Sequence, residues 1–173
     1  ISKGYDMHAQ SFAGGVVGIL TIGEGRENYG VFNSYNTGNI IAAGNYDGGI
    51  IGGHSFTENT EKHITNCYNT GKVTGPDATE IDGCFNSNGE KCSDHGSSIN
   101  NYYLAQKDDG NGGKTINQFT SGEVAYLLQY NQKEEIWGQN LTGQNINEYP
   151  IIGGNKVCKA DENDSNNNNI LYV

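Results

Sequence analysis

The sequence predicts an all-β fold: a parallel β-solenoid (β-helix-like) repeat with one short C-terminal helix acting as a cap. Three observations predict it. Two short blocks recur in phase, about every 34 residues, which is the mark of a repeat architecture. Glycine is abundant, 26 of 173 residues, and each glycine inside a helix costs about 1 kcal/mol relative to alanine. Leu, Ile, Val and Phe total only 34 residues, enough for a thin core shared between stacked strands but not for a thick two-layer α/β domain.

The first block reads FAGGVVGI (Phe12 to Ile19), then YDGGIIGG (Tyr46 to Gly53), then a worn copy, IDGCFN (Ile81 to Asn86). Its glycine pair leaves no Cβ, so a neighbouring backbone can approach closely. The β-branched pairs Val16-Val17 and Ile50-Ile51 supply buried surface. The second block reads VFNSYNTGNI (Val31 to Ile40), ITNCYNTGKV (Ile64 to Val73) and INNYYLA (Ile99 to Ala105). In the middle copy Ile64, Asn66 and Tyr68 share one strand face, Thr65 and Cys67 the other. Asn69-Thr70-Gly71 is turn chemistry, because Gly tolerates positive φ and Asn bonds its own backbone. Such strands are too short to form a core alone. Stacking places Val31, Ile64 and Ile99 in one column and Tyr35, Tyr68 and Tyr103 in another. No cap precedes the first block, and Ile1 begins no signal-peptide pattern, so a piece of a longer chain is expected.

Three regions follow: repeats over 1–106, a helix plus strands over 107–159, and an Asn/Asp-rich tail over 160–173. Residues 107–118 read as a linker. Thr120 and Glu123 fit a capping box opening one helix over about 122–130, with Val124, Ala125, Leu127 and Leu128 as its apolar stripe. EEIWGQN and EYPIIGGNKVC read as two strands, and ILYV as a further short one. Trp137 is read as a core anchor against the helix, with a sugar-stacking platform as the functional alternative.

Twenty acids against ten bases give a net charge of −10, which repels phosphate backbones and argues against nucleic-acid binding. No run is apolar enough to span a membrane as a helix. Of the four cysteines, Cys84 and Cys92 bracket a polar loop and form the disulfide candidate. The sequons at Asn140 and Asn163 arise readily by chance in so asparagine-rich a chain. No nucleophile, phosphate-loop or zinc-protease motif occurs. Three weak constellations occur: His54, His63 and Cys67 as metal ligands, Asp108-Asp109-Gly110-Asn111-Gly112 as a calcium loop, and Asp47 with Asp82 as a paired-carboxylate hydrolase site. Each has a plainer structural reading, so no catalytic, metal or cofactor site is expected.

At GGVVGI and GGIIGG, alternating with SYNTGNI and NCYNTGKV, residues 10–106 resemble the GLUG repeats of large secreted or surface-anchored proteins. Such repeats occur in bacterial adhesin-like proteins and beside the catalytic domain of IgA-cleaving metallopeptidases. The third copy departs from the pattern, lacking a second glycine pair and the NTG turn. TSGEVAYLLQ, IWGQNL and YPIIGG are similar to segments that follow such repeats. The resemblance implies an extracellular, cell-surface β-solenoid module with no catalysis of its own. The function expected is a structural or adhesive spacer, or a self-assembling surface component. Its expected partners are a glycan, a host or surface protein, or copies of itself. The alternatives are an accessory domain of a secreted peptidase, a glycan-binding module, and a polysaccharide-acting enzyme on a β-helix.

Overall fold

The computed structural model describes residues 7–9, 12–23, 29–43, 46–56, 63–76, 78–84, 98–142, 147–160 and 172. The chain divides into two compact units, Ile1–Tyr103 and Leu104–Val173. Among the described residues the regular structure is mostly strand, in short sheets, with two short helices.

The first unit carries three sets of five strands. The first set is β1 (Met7–Ala9), β2 (Phe12–Gly14), β3 (Val17–Ile22), β4 (Val31–Phe32) and β5 (Tyr35–Asn36). The second is β6 (Ile40–Ala42), β7 (Tyr46–Gly48), β8 (Ile51–Phe56), β9 (Ile64–Thr65) and β10 (Tyr68–Asn69). The third is β11 (Val73–Thr74), β12 (Ala78–Thr79), β13 (Asp82–Cys84), β14 (Ser98–Ile99) and β15 (Tyr102–Leu104). Each strand pairs in parallel with the strand five places on, giving the orders β1-β6-β11, β2-β7-β12, β3-β8-β13, β4-β9-β14 and β5-β10-β15. Like residues therefore face like residues: Phe12 opposite Tyr46, Val17 opposite Ile51, Val31 opposite Ile64, Tyr35 opposite Tyr68. Val31, Ile50, Ile51, Ile64, Cys67 and Ile81 form the core, with Val17, Leu20 and Tyr103 packed on it.

The third set corrects the expected columns. Ile64 pairs with Ser98, and Ile99 with Thr65. Tyr68 pairs with Tyr102, and Tyr103 with Asn69. Both differ from the expected columns by one residue, which in a strand exchanges the two faces. The reason lies in the backbone. Asn33, Asn66 and Asn100 all take positive φ, at 48°, 57° and 56°, a region that Asn enters more readily than other side chains. These three bends align, and the Asn-x-Tyr spacing then brings Tyr102, not Tyr103, beside Tyr68. Ile99 is left exposed.

The glycine block is corrected too. Its third copy begins at Ala78, which pairs with Asp47, while Asp82 pairs with Ile51. The Ile50 and Ile51 N–H groups both donate to the Ile81 carbonyl, as the Val16 and Val17 N–H groups do to the Ile50 carbonyl. Ile81 thus takes the Ile50 position, because burying it there outweighs matching its Asp-Gly to the earlier one. Asp47 and Asp82 are not register partners.

The second unit holds β16 (Gly113–Lys114), α1 (Ile116–Thr120), α2 (Glu123–Gln129), β17 (Trp137–Gly138) and β18 (Ile151–Ile152). The expected single helix is two, and the expected 107–118 linker contains β16 and the start of α1. The capping box is formed by Thr115 and Gln118, not by Thr120 and Glu123: the Thr115 hydroxyl accepts the Gln118 N–H at 3.3 Å, and the Gln118 Oε1 accepts the Thr115 N–H at 2.9 Å. Thr120 ends α1, and Gly122, at φ 92°, begins α2 without a side-chain cap. β17 and β18 pair antiparallel, as the two C-terminal strands were expected to occur. Phe119, Val124, Ala125, Leu128, Trp137 and Val157 are buried. Tyr172 makes a single antiparallel bridge to Lys159.

Candidate functional site

The most organised polar feature is a column of buried amides. Asn36 and Asn69 follow the two paired tyrosines and are both fully buried. Each bonds its own turn: the Gly38 and Gly71 N–H groups donate to Oδ1 of Asn36 and Asn69, whose Nδ2 groups donate to the Gly38 and Gly71 carbonyls. The two are joined by Asn36 Nδ2 donating to Asn69 Oδ1 at 2.9 Å, and Asn69 Nδ2 also reaches the Glu80 carbonyl. Glycine makes room: a Cβ on Gly15 or Gly49 would collide with the Asn36 or Asn69 side chain. The two sequence blocks are thus one device, a bare glycine backbone over a buried asparagine.

A second, shallower column runs beside it. Asn100 Nδ2 donates to Asn66 Oδ1 at 2.7 Å, and the Tyr102 hydroxyl donates to Asn100 Oδ1. Asn101 bridges strands, its Oδ1 accepting the Cys67 N–H and its Nδ2 donating to the Ile64 carbonyl, both at 2.7 Å. The sequence reading anticipated the turn role of the NTG asparagine but not these ladders. Their signal was present in the recurrence of Asn36 and Asn69 at the register offset, and in the Asn-x-Tyr triplets.

The expected tyrosine column holds for Tyr35 and Tyr68, whose rings stack at 5.1 Å and 9°. Phe12 and Tyr46 stack alike, at 5.1 Å and 11°. Tyr68 is fully buried, so its ring is closed to a sugar. Trp137 is likewise buried in the second unit, which sets aside the platform reading. Its N–H and that of Ile136 both donate to Oε1 of Gln129, tying β17 to the end of α2.

Two of the three constellations can be followed in full, since the Asp82 side chain lies outside the described residues. Among the described residues no group of three or more His, Cys, Asp and Glu is placed to hold a metal ion. His54 and His63 are buried, and His63 Nδ1 lies 2.5 Å from the Tyr29 carbonyl, to which it donates. Burial pushes the Cys67 thiol up to about 12, against weaker lowering by the Ser34 and Thr65 backbone, so the nucleophilic thiolate is suppressed. In the Asp108 loop the carboxylates are engaged internally: Asp109 Oδ1 accepts the Asn111 and Gly113 N–H groups, and Asp108 meets the Gly110 N–H, the Lys114 ammonium and Gln118 Nε2. The Lys114 ammonium holds the Asp108 carboxyl well below the usual carboxylate range. That arrangement is an exposed turn bonded to its own backbone and to Lys114. Asp47 is buried, with Gly75 directly over its carboxylate. Asn140 Oδ1 accepts the Asn155 N–H. The Cys84–Cys92 candidate and Asn163 lie outside the described residues, apart from the backbone of Cys84.

Comparison with family models, with curated proteins and with solved structures finds no match to this chain. No helix among the described residues is long and apolar enough to cross a membrane.

Proposed function

We propose that this chain is a non-catalytic, extracellular repeat module of GLUG type, built as a parallel β-solenoid and serving as a structural or adhesive spacer at a cell surface. One observation carries the reading: five strands per repeat, each pairing in parallel with its counterpart in the next, with Tyr on Tyr and Asn on Asn. In such a stack the buried Asn36 and Asn69 amides close their own turns and join one repeat to the next. The buried amides, the closed Tyr68 ring and the suppressed Cys67 thiol fit a load-carrying body better than a reacting site.

The test is turnover against binding. The purified chain is incubated with panels of polysaccharides and unfolded proteins, and displayed on beads against a glycan array. The spacer reading expects no release of reducing ends or peptides. Sustained turnover that follows the protein through purification and is lost in an Asp47→Asn variant overturns it in favour of an enzyme. Saturable capture of one glycan class places the adhesive function on the module itself.

A further inference from the structure

The turn that leads into β16 contains two residue pairs with self-reactive chemistry, Asp109-Gly110 and Asn111-Gly112. In each, the glycine nitrogen can close a five-membered ring on the side-chain carbonyl carbon of the residue before it. Glycine carries no Cβ, so it hinders that approach least. The residue types mark both pairs, and the fold separates them.

At Asp109-Gly110 the reacting groups are committed elsewhere. The Gly110 N–H donates to Asp108 Oδ1 at 2.9 Å. Asp109 Oδ1 accepts the Asn111 N–H at 2.8 Å and the Gly113 N–H at 2.9 Å. Asn111-Gly112 differs on both counts. Asn111 is exposed, and among the described residues neither its carboxamide nor the Gly112 N–H makes a hydrogen bond. Gly112 takes φ 108°, a conformation that glycine reaches at little cost. Asn36 and Asn69 are the opposite case. Both are buried, and each has its Oδ1 and Nδ2 bonded to its own turn, so neither carboxamide is free to swing onto the next nitrogen. The chain's other Asn-Gly pair, at Asn88, lies outside the described residues.

We propose that Asn111 is a self-modification site, which loses ammonia through a cyclic imide formed with Gly112 and takes up water. The Gly112 nitrogen attacks Cγ of Asn111 and gives its proton to solvent. The Cγ–Nδ2 bond breaks, Nδ2 takes a proton, and ammonia leaves. Water then opens the imide. Cleavage between the nitrogen and Cγ leaves aspartate. Cleavage between the nitrogen and the backbone carbonyl carbon leaves isoaspartate, whose main chain runs through Cγ and is one carbon longer. Water is the only co-reactant, and nothing is oxidised or reduced. The extra carbon falls between the Asn111 and Gly113 N–H groups, which share Asp109 Oδ1. One oxygen cannot hold both at their present distances. The turn therefore slackens beside the Ala105 N–H, which donates to the Lys114 carbonyl at 2.8 Å. Either product also adds a carboxylate next to Asp108 and Asp109, in a chain already at −10.

The experiment ages the full chain in neutral and in mildly alkaline buffer, folded and in guanidinium chloride, and follows each peptide by mass mapping that resolves isoaspartate. The proposal expects the folded chain to gain one mass unit at Asn111, with isoaspartate among the products and a faster rate in alkaline buffer, where the Gly112 nitrogen gives up its proton more readily. In the folded chain that change outpaces isomerisation at Asp109 and deamidation at Asn36 and Asn69 at least tenfold. Denaturant speeds the Asp109 reaction at least tenfold and the Asn111 reaction far less. Asn111→Gln, which would need a six-membered ring, stops the change with far-ultraviolet dichroism unaltered. Amide exchange at Ala105 is faster in the isoaspartate fraction than in fresh protein, and in Asn111→Asp it stays close to fresh protein. A folded chain that keeps Asn111 intact while the denatured chain loses it overturns the proposal, as does Asp109 reacting in the folded chain as fast as Asn111. Unchanged exchange at Ala105 in the isoaspartate fraction overturns the slackened turn. If Asn111→Gln unfolds, the wild-type comparison of folded and denatured rates decides alone.

Discussion

Asn69 accepts two N–H groups and donates to two carbonyls from a fully buried position. Truncation to alanine strands the Gly71 N–H and the Gly71 and Glu80 carbonyls in a site too closed for water, at a cost of about 2–3 kcal/mol. Asn39 provides the contrast: it is exposed and accepts one bond, from the Lys72 N–H, so Asn39→Ala should cost under about 1 kcal/mol. Urea unfolding of the two variants checks the difference, and equal midpoints would remove the amide column from the account. Tyr68→Ala, which empties a fully buried ring site, should cost about 3–5 kcal/mol by the same measurement. Cys67 provides a pH test. Its thiol ionises near 9.0 when unfolded and near 12 when folded, so the fold favours the neutral form. That contribution is complete below pH 9 and is lost as pH rises toward 12. Wild type should therefore lose its advantage over Cys67→Ala by about 1.4 kcal/mol per pH unit above 9. The same burial predicts that iodoacetamide labels the exposed Cys158 in the native protein and Cys67 only on unfolding, read by mass mapping.

At the scale of the element, the helix start separates two candidate caps. Thr115 caps α1 through its hydroxyl, whereas the Thr120 hydroxyl turns back to the Asn117 carbonyl at the helix end. Thr115→Ala should cost about 1 kcal/mol of stability and Thr120→Ala a few tenths, measured by thermal melts. The Thr120-x-x-Glu123 pattern was legible and misleading, because Thr115-x-x-Gln118 opens an earlier helix and Gly122 interrupts the two. Propensity could not rank them; the burial of Phe119 on α1 and of Val124 on α2 did. The strands show the same limit. Wherever both copies of a block keep its motif, as at Val31 with Ile64 and Tyr35 with Tyr68, the pairing could be read from the residues alone. The third copy had lost NTG and one glycine pair, and a matching isoleucine misled by one residue in one block and a matching Asp-Gly by several in the other. Positive φ at Asn100 and burial of Ile81 fix those registers, and neither is a property of composition or spacing.

Across the first unit, burial rises from the first repeat to the second, and among the described residues the second has strands on both sides and the first on one. In a stack of repeats, stability comes from each repeat and from its interfaces with neighbours, so a repeat with one interface opens at lower free energy than one with two. Native-state amide exchange on a dilute sample should rank the strands accordingly. The Ile50 and Ile51 amides, which donate to the Ile81 carbonyl, and the Tyr68 amide, which donates to the Ser34 carbonyl, should be the slowest of the unit. The Val16 and Val17 amides make the equivalent bonds, to the Ile50 carbonyl, both at 3.0 Å, against 2.8 and 3.1 Å for Ile50 and Ile51. They should nevertheless exchange faster, since among the described residues their repeat pairs on one side alone. Between Val17 and Ile51 bond length cannot produce that difference, since the Ile51 bond is the longer; position in the stack can. Equal protection at Val17 and Ile51 would mean that the unit opens only as a whole, and the nearest-neighbour account of its stability would fall with it.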